Sequence, residues 1–155
     1  MLLNIAIGLP VMALCLFLQT LLLLVATRYY VRRETLVRSP SFGMTFLVLG
    51  GVMLILVLGN IAQTGIWALL FLLLGEFLDY STAFYHSAVN FATLGYGDLV
   101  MSPKHRLLGP LEAINGVLMI GLSTAVLLTA FQDALKKTAQ ARNRSGMGIG
   151  IDLDD

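Results

Sequence analysis

Charge is scarce in this sequence. Asp, Glu, Lys and Arg make up 12% of its 155 residues, about half the share that soluble domains carry. Two stretches have no charged side chain at all, residues 1–27 and residues 39–75. With 57% apolar residues and a mean hydropathy of +0.84, a chain this short holds more apolar surface than its own core can hide. That excludes an ordinary soluble domain and makes lipid the expected solvent. Cysteine is nearly missing too. Cys15 stands alone, which excludes an intrachain disulfide and a cysteine-built metal site. Ten Lys and Arg without a basic stripe give no footprint for nucleic acid. There is no Ser–His–Asp set, no zinc spacing and no nucleotide loop, so nothing points to an enzyme. Gly146, Gly148 and Gly150 follow no strand and lead into no helix, so they read as tail rather than as a phosphate loop.

What is present is three apolar spans. Residues 1–27 rise about 40 Å as a helix, enough to cross a hydrocarbon core of about 30 Å. A cleaved signal peptide would want a basic start and a shorter apolar core. The first cation here is Arg28, so the segment reads as a retained transmembrane helix, with Asn4 and Gln19 as its polar residues and Pro10 as a possible kink. A basic loop over 28–41 follows, with Arg28, Arg32, Arg33 and Arg38 against Glu34. Tyr29 and Tyr30 read as interfacial anchors. The second span is expected at 42–68, with 69–78 running along the interface, and Trp67 is expected in an aromatic belt. The third span is expected at 107–131, interrupted only by Glu112.

Cations set the orientation. The 28–41 loop and the tail carry four Lys and Arg each, and the segment between the second and third spans carries only Lys104 and Arg106. Three spans put the loop and tail on one side, and cytoplasmic segments are the basic ones. The expected topology places the N-terminus outside and the C-terminus in the cytoplasm of a multi-pass cell-membrane protein. His105, between those two cations, reads as a solvated surface residue. The arginines lie in the loop rather than within a span, so no voltage sensor is expected.

The chemistry concentrates in Thr93-Leu94-Gly95-Tyr96-Gly97-Asp98. A cation crossing lipid needs its hydration shell replaced by protein oxygens. Backbone carbonyls suffice if the strand turns them one way, and glycine at every second position permits the positive φ that this demands. A short amphipathic helix over 81–92 precedes the segment. Irregular backbone at membrane depth is tolerated where it lines a cavity.

These six residues resemble the potassium-channel selectivity filter, usually Thr-Val-Gly-Tyr-Gly-Asp, with Leu94 in place of Val. The resemblance extends to the aromatic-rich stretch Ala83–Ala92 as a pore helix and to Leu111–Thr124 as an inner helix. It covers 42–133, the pattern of a small prokaryotic-type two-span pore, and leaves the first helix as an addition. It implies an all-α membrane protein with a re-entrant pore helix and filter loop between the second and third spans, in a four-fold assembly. It implies that Thr93, Leu94, Gly95 and Tyr96 bind potassium, that Gly97 and Asp98 support the filter, and that Gly116, Gly121 and Thr124 form the inner-helix hinge or cavity. Ala92 and Val89 depart from the usual Thr and acidic residue near the filter.

The expected function is passive potassium conduction through a homotetramer in lipid, with no cofactor beyond the permeant ions. The rival readings are a weakly selective cation pore and a non-conducting scaffold with a relict loop. His86 is expected to be packed and hydrogen-bonded. Glu112 is expected to anchor its helix to the back of the pore helix through Asn90 or Ser87. Residues 134–155 are expected to form a flexible cytoplasmic tail.

Overall fold

Long apolar runs satisfy their backbone polar groups internally as helices, the only open-chain solution in lipid. The computed structural model describes residues 1–37 and 42–144. In chain order it has α1 (Leu2–Arg32), α2 (Glu34–Val37), α3 (Phe42–Leu73), α4 (Tyr80–Phe91) and α5 (Leu108–Arg144). There is no strand among the described residues. Three helices are long and apolar enough to cross a membrane, Leu2–Arg32, Gly43–Leu73 and Leu108–Ala141. Arg38 and the glycines and acidic residues from 145 onward lie outside the described residues.

All three spans outrun their expected bounds. α1 continues through Arg28 and Arg32, and Pro10 stands inside it without ending it. α3 runs to Leu73 rather than stopping at 68. It ends at Gly75, whose φ is 72°. There the Gly75 amide donates to the Leu72 carbonyl and the Glu76 amide to the Phe71 carbonyl, the overlapping pair of bonds that closes a helix at a left-handed residue. α5 runs on to Arg144, so residues 134–144 are helix rather than flexible tail.

The chain divides into two compact units. Unit 1 comprises Met1–Leu22 with Val57–Leu122, and unit 2 comprises Leu23–Leu56 with Ser123–Asp155. In unit 2 the core is Ala26, Tyr30, Val48, Val52, Leu56, Ala130 and Ala134. Tyr30 is buried there rather than lying as an interfacial anchor. Its hydroxyl donates to Asp133 Oδ2 at 2.7 Å. Lys137 bridges Asp133 at 2.5 Å and Glu34 at 3.0 Å, and the Thr45 and Thr138 hydroxyls meet at 2.9 Å. These contacts give the charged end of α5 partners, which is why the helix does not stop where the apolar run stops.

In unit 1 the core includes Cys15, Trp67, Phe71, Phe91, Met101, Leu108 and Met119. Trp67 is fully buried, packed against Phe71 with ring centroids 5.9 Å apart, not placed in a surface belt. Lipid offers apolar side chains no reason to prefer protein, so close packing and polar bonds select the helix pairs. Here α1 supplies the polar bonds. Asn4 donates to the Lys104 carbonyl at 2.9 Å, Gln19 to the Met119 carbonyl at 3.3 Å, and Gln63 to Gln19 Oε1 at 2.7 Å. The first part of the added helix, residues 2–22, is therefore a built-in part of unit 1.

Candidate functional site: the segment from α4 to α5

Asp79 starts α4. Its Oδ1 accepts from the Thr82 amide at 2.9 Å and its Oδ2 from the Thr82 hydroxyl at 2.7 Å, satisfying an amide that a helix start leaves unpaired. The backbone bond from Thr82, aided by its hydroxyl, holds the Asp79 carboxyl below its ordinary value. His86, in the middle of α4, is buried. Its ring meets Phe71 at 5.6 Å and Phe77 at 4.9 Å, and its Nε2 pairs with Asn90 Nδ2 at 2.9 Å. It is a packed, hydrogen-bonded residue, as expected.

The end of α4 sets the course of the chain through residues 92–98. The Ala88 carbonyl accepts from the Ala92 amide at 3.0 Å, the Asn90 carbonyl from Thr93 at 2.8 Å, and the Val89 carbonyl from Leu94 at 2.8 Å and Gly95 at 3.5 Å. In a trans peptide the N–H and C=O point opposite ways. Amides turned back toward α4 therefore turn the carbonyls of Ala92, Thr93 and Leu94 away from it. Along this segment the backbone changes hand at every other residue. Thr93, Gly95 and Gly97 have φ of 59°, 57° and 74°, while Leu94 and Tyr96 keep negative φ. Thr93 is the unexpected member, because a β-branched residue in the left-handed region is strained.

All of Ala92–Asp98 is exposed in the single chain, with Leu94 54% and Tyr96 64% accessible. Carbonyls and apolar side chains are thus bare together. The far end of the segment is tied back to α4, where the Tyr85 hydroxyl donates to Asp98 Oδ2 at 2.8 Å.

The return to α5 is pinned by Glu76, which sits just past the end of α3. Its Oε2 accepts from the Ser102 amide at 2.7 Å and its Oε1 from the Ser102 hydroxyl at 2.7 Å and from His105 Nδ1 at 2.5 Å. The side chains of His105 and Glu76 are only 5% and 6% accessible. His105 is therefore buried, not a solvated surface residue. Its neighbours Lys104 and Arg106 are exposed, and a sequence separation of 29 residues carries no sign of the pairing. Burial alone would raise the Glu76 carboxyl, but the bonds from Ser102 and His105 outweigh it and hold the group below its ordinary value.

The folded value lies below the unfolded one. The clasp's contribution is therefore complete above the ordinary carboxylate pKa of about 4.3 and is lost as pH falls through the folded value. The expected result is that E76Q destabilises the purified protein at neutral pH by about 2 kcal/mol, the worth of a charged hydrogen bond. The gap from the unsubstituted protein then closes on acidification. Thermal unfolding across pH checks this; a gap independent of pH rules it out.

The remaining site residues are dispersed. Gly116 is buried in unit 1, where α5 crosses the last turn of α4. A Cβ there would meet the Phe91 carbonyl oxygen and stand 2.8 Å from its carbon. A Cβ at Gly121 would meet nothing. Thr124 belongs to unit 2 and lines an apolar groove with Phe46, Gly50, Met53 and Phe131. Of the three inner-helix residues, the structure brings only Gly116 against the helix that leads into the 93–98 segment. Glu112 is wholly buried on α5, in contact with the Ser87 hydroxyl of α4 and within reach of the Asn90 amide, its two expected partners. Among the described residues there is no cluster of metal-ligating side chains.

Residues 54–133 match the protein family described as ion channel. The chain belongs to the ion-channel family. The match covers more than half of the chain, from within α3 through α4 and the 93–98 segment to Asp133 of α5. α1 lies outside it and is an extra apolar helix beside the matched region. Neither a curated protein nor a solved structure matches the chain. Membership of this family, with three apolar spans, makes the chain a multi-pass membrane protein that serves ion permeation.

Proposed function

We propose that this ion-channel chain is one subunit of a homotetrameric, passive, potassium-selective pore. The observation that carries the reading is the change of backbone hand at Thr93, Gly95 and Gly97. An ordinary strand alternates its carbonyls between two sides. Reversing the hand at every other residue brings successive carbonyls to one side, as a carbonyl-lined filter requires.

Thr93, Leu94, Gly95 and Tyr96 then present the ion-binding oxygens, with the Thr93 hydroxyl adding one more. Gly97 and Asp98 support them, the latter through Tyr85. One strand offers one oxygen per ring, so four copies complete each ring around the axis, and α4 enters the membrane as a re-entrant pore helix. No cofactor is needed, because the permeant ions move down their own gradient and no bond is made or broken. The cation asymmetry supports an outside N-terminus and a cytoplasmic C-terminus.

The test is ion uptake by proteoliposomes holding only this protein. Rubidium uptake driven by a potassium gradient, with sodium excluded, is the expected result. Equal sodium uptake indicates a weakly selective pore, and no uptake indicates a scaffold. In cells carrying the active channel in a Cys15→Ala background, a cysteine at Leu2 reacts with an external impermeant thiol reagent and one at Arg33 does not. The reverse pattern overturns the orientation.

A further inference from the structure

One buried contact in unit 1 joins three helices. Ser87 Oγ of α4 lies 2.8 Å from the Thr64 carbonyl of α3 and within hydrogen-bond distance of Glu112 Oε1 of α5. Ser87 and Glu112 are wholly buried. A hydroxyl carries one proton and gives it to one acceptor. The Thr64 carbonyl has no proton to offer, and an ionised Glu112 has none either. Ser87 would then face two acceptors with one hydrogen, and one of the two short contacts would set lone pairs against lone pairs.

A proton on Glu112 resolves the count. Oε1–H donates to Ser87 Oγ, and Ser87 donates to the Thr64 carbonyl. The surroundings agree. No ion pair involves Glu112 among the described residues. The titratable groups around it are Cys15 from α1 and, one step removed, His86 on α4. Asn90 divides its amide between His86 Nε2 and the carboxyl, a neutral donor that brings no charge to balance an ionised Glu112. From α3 comes only the Thr64 carbonyl, and Glu112 Oε2 has no hydrogen-bond partner. A carboxylate with one bare oxygen inside a spanning helix is costly, because neither lipid nor apolar protein replaces its hydration.

We propose that Glu112 is a neutral carboxylic acid whose proton, donated to Ser87, positions the pore helix and through it the filter. The proposal rests on reading 93–98 as the filter. Ser87 directly precedes Ala88, Val89 and Asn90, the residues whose carbonyls hold the amides of Ala92–Gly95. The Glu112–Ser87–Thr64 relay therefore fixes the end of α4 from which the filter carbonyls are hung. Glu112 touches no ion; it is a positioning residue.

Infrared difference spectra of the full-length protein in liposomes, unsubstituted minus E112Q, test the proton. The expected band at neutral pH is the C=O stretch of a protonated carboxylic acid. A carboxylate band in its place overturns the proposal. This readout does not depend on conduction, so its failure is distinct from failure of the potassium reading.

Selectivity tests the positioning role. E112Q keeps an N–H donor for Ser87 and retains rubidium-over-sodium selectivity. E112M has similar length but no donor and loses about tenfold, the equivalent of one hydrogen bond. S87A, the smaller change, loses as much, and the E112M/S87A pair loses no more than either alone. Selectivity lost equally in E112Q and E112M, or retained in S87A, overturns the role.

Discussion

Gly95→Ala is expected to abolish rubidium uptake while leaving membrane insertion and assembly intact. A Cβ at Gly95 meets no atom within 4 Å, so the penalty is not a collision. It comes from the backbone, whose φ is 57°. Left-handed geometry costs an L-residue roughly 1–2 kcal/mol, and the proposed homotetramer would incur that four times around one axis. The cheapest relief is a peptide flip, which would turn a carbonyl out of the proposed ring and an amide N–H into it. Gly50 supplies the control. It also has open space for a Cβ, but it lies within α3 at ordinary helical φ. Gly50→Ala should conduct as the unsubstituted protein does. Selective uptake by Gly95→Ala, or equal damage from both changes, would remove the filter assignment.

The second large effect is expected at Gly116→Ala. The added methyl collides with the Phe91 carbonyl and approaches its Cα to 3.0 Å. Backbone at the end of a helix cannot swing aside as a side chain can, so α4 or α5 must move. Overpacking of this kind costs about 1–3 kcal/mol. Here it also shifts the turn that holds Thr93, Leu94 and Gly95. Gly121→Ala, further along α5, has room and should change stability by no more than about 0.5 kcal/mol. Thermal unfolding of the two purified variants decides between them. A stable Gly116→Ala beside an unstable Gly121→Ala would show that the close approach lies elsewhere.

The spans are legible in the sequence because lipid imposes a simple rule: charge-free runs of sufficient length become helices. The rule does not say where a helix stops. Arg28 and Lys137 read as loop and tail only if charge means exposure to water. In the fold, Tyr30, Glu34, Asp133 and Lys137 pair with one another across α1, α2 and α5, which lets helix continue through charged sequence. Trp67 and His105 depart from expectation for a related reason. The ordinary habitat of each residue type points to a surface, whereas Phe71 and Glu76 provide other partners for them. The 93–98 segment is legible in Gly95 and Gly97, since glycine at every second position marks where positive φ is needed. Thr93 carries no such sign. A threonine reads as strand, and only the bonds from α4 hold it in the left-handed region.

The polar bonds of α1 also bear on the order in which the protein is made. Asn4 and Gln19 each bond a carbonyl 100 positions downstream, at Lys104 and Met119. Neither acceptor exists when α1 leaves the ribosome. At about 5–20 residues per second, these two amides wait several seconds to tens of seconds for their partners. Gln63, only 44 residues after Gln19, arrives sooner. The Gln19 side-chain oxygen thus gains its donor on α3 before α5 emerges, and α5 then brings the acceptor for the Gln19 amide.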